Sequence, residues 1–180
     1  MMSIKKTKKS TVGYTGNVTV KVLHGNKVVK TYKKHNTGTY RLFEYIARCL
    51  GNTYDEMYAP RFIRAFYIDD IENIPDSELH TYLSENVISG AIAYSRIEVK
   101  SDEAEQTATV TFSFLVPNSL IYDNQLYINA LAMYSLTTYD DASIEDPMAY
   151  VKLDNKIEVT EGSNILIEWG LTITNAQTEE

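Results

Sequence analysis

Along most of this chain, apolar and polar residues alternate with a period of two. Val18, Val20 and Val22 alternate with Thr19, Lys21 and Leu23, and Val28, Lys30, Tyr32 and Lys34 return after Gly25-Asn26. That spacing predicts a hairpin over 17–35 closed by a two-residue type II′ or I′ turn. Thr107 to Val116 is the clearest alternation, with Val110, Phe112 and Phe114 on one face and Thr109, Thr111 and Ser113 on the other. Asn164 to Thr174 repeats it, with Ile165, Ile167, Trp169, Leu171 and Ile173 sharing a face. Further strands are predicted over 62–68, 89–100 and 126–135, the last apolar enough to be central. Met148–Leu153 and Ile157–Val159 are expected as two strands flanking a turn at Asp154-Asn155.

One stretch has the period of a helix. From Thr39 to Leu50, the residues Leu42, Phe43, Tyr45, Ile46, Cys49 and Leu50 form an apolar stripe. Thr39 is the expected N-cap and Gly51-Asn52 the stop. Cys49 lies on the stripe and is expected as a buried small hydrophobe. Residues 71–87 are expected as a mixed loop, with a turn of helix near Asp76 to Leu83.

Strands in a row without intervening helices argue against a parallel α/β sheet. The expected fold is mainly β: an antiparallel β-sandwich of about eight or nine strands with one amphipathic helix near residues 39–50. The expected organisation is a basic N-terminal arm over 1–16, a single sandwich domain over 17–175 and a polar tail over 176–180.

The chain has 180 residues, long enough to bury a core without staples. Its single cysteine excludes a disulfide framework and a cysteine zinc site. No apolar run approaches the roughly 18 residues of a membrane span, so no membrane is expected as a partner. The Lys-rich start lacks the apolar centre of a secretory signal. Charge changes the picture more. The net charge is −7, yet residues 1–43 hold nine Lys, Arg41 and no acid. The remainder holds 7 basic and 24 acidic residues. A +10 segment is attached to a −17 body.

Catalytic chemistry has little to stand on. His24, His35 and His80 are scattered without metal-ligand spacing, and no nucleophile elbow or phosphate loop occurs. Gly13-Tyr14-Thr15-Gly16 lacks both the strand before it and the Lys-Ser/Thr after it. Asp69, Asp70 and Glu72, and Asp140, Asp141, Glu145 and Asp146, offer oxygen ligands to a cation without EF-hand spacing. The chain is therefore expected to be no enzyme, with no cofactor, catalytic residue or metal ligand to assign.

The basic segment is the most informative feature. Lys5, Lys6, Lys8 and Lys9 sit in the arm, and Lys27, Lys30, Lys33 and Lys34 extend the charge over the hairpin. Nucleic acid is disfavoured, because the segment has little Arg or stacking aromatic and the acidic body repels phosphate. Docking on acidic protein fits better, and the chain offers its own complement: copies placed head to tail would build a ring. A solvated basic face without a partner is the remaining reading. Tyr14, Tyr54, Tyr58, Tyr82, Tyr122 and Tyr139 fall in predicted loops, which favours a binding surface.

Two stretches carry a resemblance. One runs from Val28 through Leu50 and the Gly51-Asn52 that follows: a short strand, then His35-Asn36-Thr37-Gly38-Thr39, then the helix. The other is the final strand, Ile165 to Asn175. Together they resemble small structural proteins of tailed bacteriophage virions, of collar, tail or fibre-adaptor type. The resemblance covers about a third of the chain. It implies a non-enzymatic virion component, made in the host cytoplasm, that works in several copies in a ring or fibre beside other virion proteins. It supplies no catalytic residues. Its segment maps to His35, Asn36, Gly38 and Thr39, expected as turn and cap residues that tie hairpin to helix, with Gly38 at positive φ. The alternative is a carbohydrate-binding or adhesin module of a phage or bacterial surface.

Overall fold

Alternation makes one face of each strand apolar, and two such faces bury themselves by closing on each other. The computed structural model describes residues 8–53, 55–121, 127–135 and 147–179, without the side chains of 8–12, 50 and 175–179. Its strands are β1 (Lys8–His24), β2 (Lys27–His35), β3 (Thr37–Gly38), β4 (Pro60–Phe66) and β5 (Ile92–Ala93), then β6 (Arg96–Asp102), β7 (Thr107–Pro117), β8 (Tyr127–Ser135), β9 (Ala149–Glu158) and β10 (Ser163–Glu179). One α-helix, α1 (Tyr40–Leu50), follows β3. The strands form two antiparallel five-stranded sheets, ordered β2-β1-β10-β7-β6 and β3-β9-β8-β4-β5. This is the β-sandwich the alternation predicts, with ten strands among the described residues.

The core between the sheets takes the predicted parity. Val18, Val20 and Val22 of β1, Phe112, Phe114 and Val116 of β7, and Ile165, Ile167, Trp169 and Leu171 of β10 face Ile63, Leu131, Met133, Val151 and Leu153. Gly25 alone takes positive φ in the β1–β2 turn, as a type II′ turn requires. A second core lies on the far face of the second sheet. There Phe62, Phe66, Ala130, Ala132, Tyr134 and Tyr150 are covered by Ile68, Ile71, Ile74, Leu79 and Leu83. The segment expected as a mixed loop is thus a lid of three 3-10 turns, Ile71–Asn73, Leu79–Tyr82 and Ser84–Asn86. Turns of three or four residues are too short to show a helical period, so only their buried apolar residues mark them. Burial on both faces explains why β8 is apolar at nearly every position.

Four expectations need correction. The 1–16 arm and the 176–180 tail do not stand apart: β1 begins at Lys8, and Lys8–Val12 pair with Asn175–Glu179 as a two-stranded ribbon. The strand expected over 89–100 is two strands, because the chain leaves the second sheet after Ala93 and enters the first at Arg96. The expected turn at Asp154-Asn155 lies inside continuous β9, where the β8 pairing shifts from Ile128↔Ile157 to Ala130↔Lys152, so that residues 153–156 form a bulge against Asn129 alone. Under the bulge, the buried Asn129 amide accepts from Ile68 N at 2.9 Å and donates to Ile68 O at 2.7 Å. Finally, Cys49 is exposed, because α1 lies at the sandwich rim and, among the described side chains of its stripe, only Leu42 is fully buried.

Three tyrosine hydroxyls are held neutral by the fold. Burial pushes the phenols of Tyr134, Tyr150 and Tyr14 above their ordinary value of 10, with Asp76 adding to the effect at Tyr150. The unfolded chain loses these protons near pH 10 and the folded chain does not, so the unfolded state binds fewer protons above that pH. Stability should therefore be constant with respect to these groups below pH 10 and fall as pH rises beyond it. Urea titrations between pH 8 and 11.5 measure this. A midpoint that is flat across that range would contradict burial of the three rings.

Candidate protein–protein interface

The residues at the end of β2 form the hinge between the two sheets. His35 ends β2, exposed opposite Asn17, and Thr37 and Gly38 already pair with Tyr150 and Ala149 of the other sheet. Asn36 alone makes the crossing. Its backbone N–H donates to Gly16 O at 3.1 Å and its Nδ2 donates to the Tyr14 hydroxyl at 3.2 Å. The Tyr14 ring meets Phe43 of α1 edge-on at 5.9 Å. The corner is tight. A Cβ on Gly16 would fall 1.8 Å from Asn36 Oδ1, and one on Gly38 would fall 3.1 Å from Leu42 Cδ2.

Two expected roles change here. Gly38 does not have positive φ; Tyr14 and Leu42 pack so closely on it that a Cβ there would push them back by a few tenths of an ångström. Thr39 occupies the N-cap position of α1 but makes no side-chain cap bond. Its hydroxyl donates instead to Pro147 O at 2.5 Å and Met148 O at 3.0 Å, and its N–H donates to Met148 O at 2.9 Å. The segment ties sheet to sheet as well as hairpin to helix. Tyr14, expected in a loop, lies inside β1, and Gly13-Tyr14-Thr15-Gly16 carries no local signal for the part that Tyr14 and Gly16 play at the hinge.

The lysines are distributed by register. Lys30 and Lys34 lie opposite Val22 and Val18, on the core-facing side at the rim, while Lys33 lies opposite Thr19 on the outer face. They are thus divided between the two faces of β2. Lys34 forms an ion pair with Asp154 of β9, bridging the two sheets. Lys27, Lys30 and Lys33 are exposed along the free edge of β2. Lys8 and Lys9 lie opposite Glu179 and Thr178 in the ribbon. Lys5 and Lys6 lie outside the described residues, as do Tyr54, Tyr122, Tyr139 and the acids at 140, 141, 145 and 146.

The opposite sign sits on the lid. Residues 65–95 contain six acids and no Lys or Arg: Asp69, Asp70, Glu72, Asp76, Glu78 and Glu85. Lys152 reaches the lid from the sheet beneath. Lys152 Nζ donates to Ile74 O at 2.9 Å and Glu72 O at 3.4 Å, and lies 3.8 Å from Asp76. His80 packs on the Tyr150 ring at 6.0 Å. Among the described residues, no group of three or more His, Cys, Asp or Glu side chains could hold a metal ion. A third surface is apolar: Tyr40 and Phe43 of α1 are 77 % and 50 % exposed. The molecule thus presents a basic strand edge, an acidic lid and an apolar helix face.

No family model, curated protein or solved structure matches this chain.

Two variants probe the local architecture. Gly16→Ala should destabilise the fold by about 1–3 kcal/mol through overpacking against Asn36. Combining it with Asn36→Ala should cost less than the sum of the two single changes, because the nearer of two colliding side chains is gone and only the Tyr14 hydroxyl, 2.5 Å from the new Cβ, still has to shift. Additive costs in urea denaturation would show that the two residues do not collide. Lys152→Met should cost about 1–3 kcal/mol, since it strands the Ile74 carbonyl under the lid. It should also speed amide exchange in residues 71–83; unchanged exchange there would count against the tie.

Proposed function

We propose that this chain is a non-enzymatic structural component of a tailed-phage virion, at the neck, tail or fibre attachment. It assembles in several copies through protein–protein contacts. One observation carries the assembly part: the free, lysine-rich edge of β2 and the acidic lid are surfaces of opposite sign on different sheets. A patch that meets a different, complementary patch on the next copy makes a heterologous contact, and such contacts generate rings or filaments. The resemblance of the Val28–Leu50 stretch and of the final strand to virion proteins supports the location. The exposed Tyr40 and Phe43 supply apolar area of the kind found at the centre of protein interfaces.

A second reading, a carbohydrate-binding module, is favoured by a different feature. A cleft of about 480 Å³ opens beside the β9 bulge, lined by Tyr67, Asp70, Glu72, Asn73, Asp154 and Lys156. Tyr67 stands 6.1 Å from Tyr127, over whose ring Lys156 Nζ lies at 3.9 Å. Aromatic faces beside carboxylates and amides suit a sugar. A glycan array with the full chain decides between the two: specific hits lost in Tyr67→Ala favour the module.

For the virion reading, light scattering coupled to size exclusion should find assemblies of the full chain. These should dissociate as salt rises towards about 1 M, where the screening length is about 3 Å. Reversing Lys27, Lys30 and Lys33 to Glu together should abolish them and leave the fold intact. Assemblies indifferent to both salt and reversal, or a chain missing from a reconstruction of the intact particle, would defeat this reading.

A further inference from the structure

The strand at the other edge of the first sheet carries a different pattern. β6 pairs with β7 in unbroken register from Arg96↔Ser113 to Asp102↔Thr107, and among the described residues its other side is a free edge. Natural edge strands are blunted by proline, a bulge or charged side chains, Lys above all. β6 has no proline and no bulge, and its charges alternate in sign, so each can meet an opposite charge on a suitable partner: its seven residues read Arg-Ile-Glu-Val-Lys-Ser-Asp.

Register separates the two faces. Ile97 and Val99 lie opposite Phe112 and Val110, so they point to the core side of the sheet. The second sheet ends there in the two-residue β5 and does not reach over them. Val99 is 72 % exposed and Ile97 45 %. Two apolar side chains on the buried parity of a strand are therefore left in water. On the outer face, Arg96, Glu98, Lys100 and Asp102 alternate in sign.

We infer that β6 is a self-pairing edge: two copies join antiparallel through this strand about a twofold axis at Val99, making one ten-stranded sheet. An isologous contact must be complementary to itself. About Val99, Arg96 falls opposite Asp102 of the second copy and Glu98 opposite Lys100, each pair occurring twice. All four side chains lie on one face, where directly opposed opposite charges attract. On the other face Val99 meets Val99 of the second copy, with both Ile97 side chains diagonal to it. Registers centred on Glu98 or Lys100 would oppose like charges. Only the register centred on Val99 pairs all seven residues. Within one chain Glu98 lies 3.8 Å from Arg96 and 3.3 Å from Lys100, loose contacts that leave these charges available across the axis. The basic edge of β2, by contrast, would repel its own copy. This contact adds to the heterologous one proposed above and does not rest on it.

The test uses the antisymmetry of the strand. Sedimentation velocity of the full chain at low salt, with Lys27, Lys30 and Lys33 reversed to Glu so that the heterologous contact is absent, should show a concentration-dependent monomer–dimer equilibrium. Glu98→Lys and Lys100→Glu each place like charges opposite one another at both 98–100 contacts, and each should weaken dimerisation about tenfold or more. Mixed one to one, the two variants place opposite charges at both contacts, and the dimer should return as a mixed dimer. The double variant Glu98→Lys with Lys100→Glu should also dimerise. Far-ultraviolet circular dichroism checks that each variant is folded, which the exposure of both side chains favours. A wild-type chain that stays monomeric, a dimer untouched by either single reversal, or variants that remain monomeric when mixed would overturn the inference. Reversing Lys27, Lys30 and Lys33 should leave this dimer in place, so its failure and that of the ring contact are separable.

Discussion

The structure depends on the central place of its last strand. Ser163–Glu179 lies between β1 and β7, so the first sheet is not continuous until the C-terminal end of the chain has paired with the N-terminal strand. Trp169, fully buried at the centre of that strand, sits opposite Val18 on one side and Phe112 on the other. Pairing segments some 150 residues apart closes a very long loop, whose entropic cost precedes any contact that offsets it. A fold dominated by such pairings forms slowly compared with one built from local hairpins.

The second sheet depends on that arrangement and differs from it in kind. It is covered on one face by the first sheet and on the other by the lid of residues 68–88, so almost nothing of β8 meets water. The first sheet has one covered face only. Its outer face carries Lys21 and Glu168, paired at 2.7 Å, and the hydroxyls of Thr109 and Thr172, in contact at 2.8 Å. Both long free edges, β2 and β6, belong to this sheet, as does the ribbon of paired chain ends. Unpaired backbone donors and acceptors are therefore concentrated on one layer of the sandwich. Surfaces suited to assembly follow from this asymmetry between the layers.

Much of this was legible in the residues. The parity of Val110, Phe112 and Phe114 and of Ile165 to Leu171 is the parity of the core, because a period of two and a single buried face leave no other register. The helix falls where its 3.6-residue stripe and Gly51-Asn52 place it. Of the lid only a turn of helix near Asp76 to Leu83 was legible, where the turn Leu79–Tyr82 falls; the rest was not, since Ile71, Ile74, Leu79 and Leu83 are spaced by 3-10 turns too short to repeat. At the hinge, Asn36 and Gly38 were visible as turn chemistry. Their actual partners, Tyr14, Gly16 and Leu42, come from a strand and a helix whose approach no local spacing encodes.

The sequence by itself determined the class of fold, the single helix and the division of charge between the first 43 residues and the rest. These are properties of composition and of nearest neighbours along the chain. Tertiary structure decided which apolar residues are covered: Leu42 is buried while Cys49 on the same stripe is exposed, and Phe112 is buried while Val99 beside it is open to water. It also decided that the chain ends pair and that the strand after Ala93 changes sheets. The physical reason is common to these cases. A side chain's pattern fixes the face it shares, but burial depends on how far the opposing layer extends, and that layer is built from residues distant in the chain.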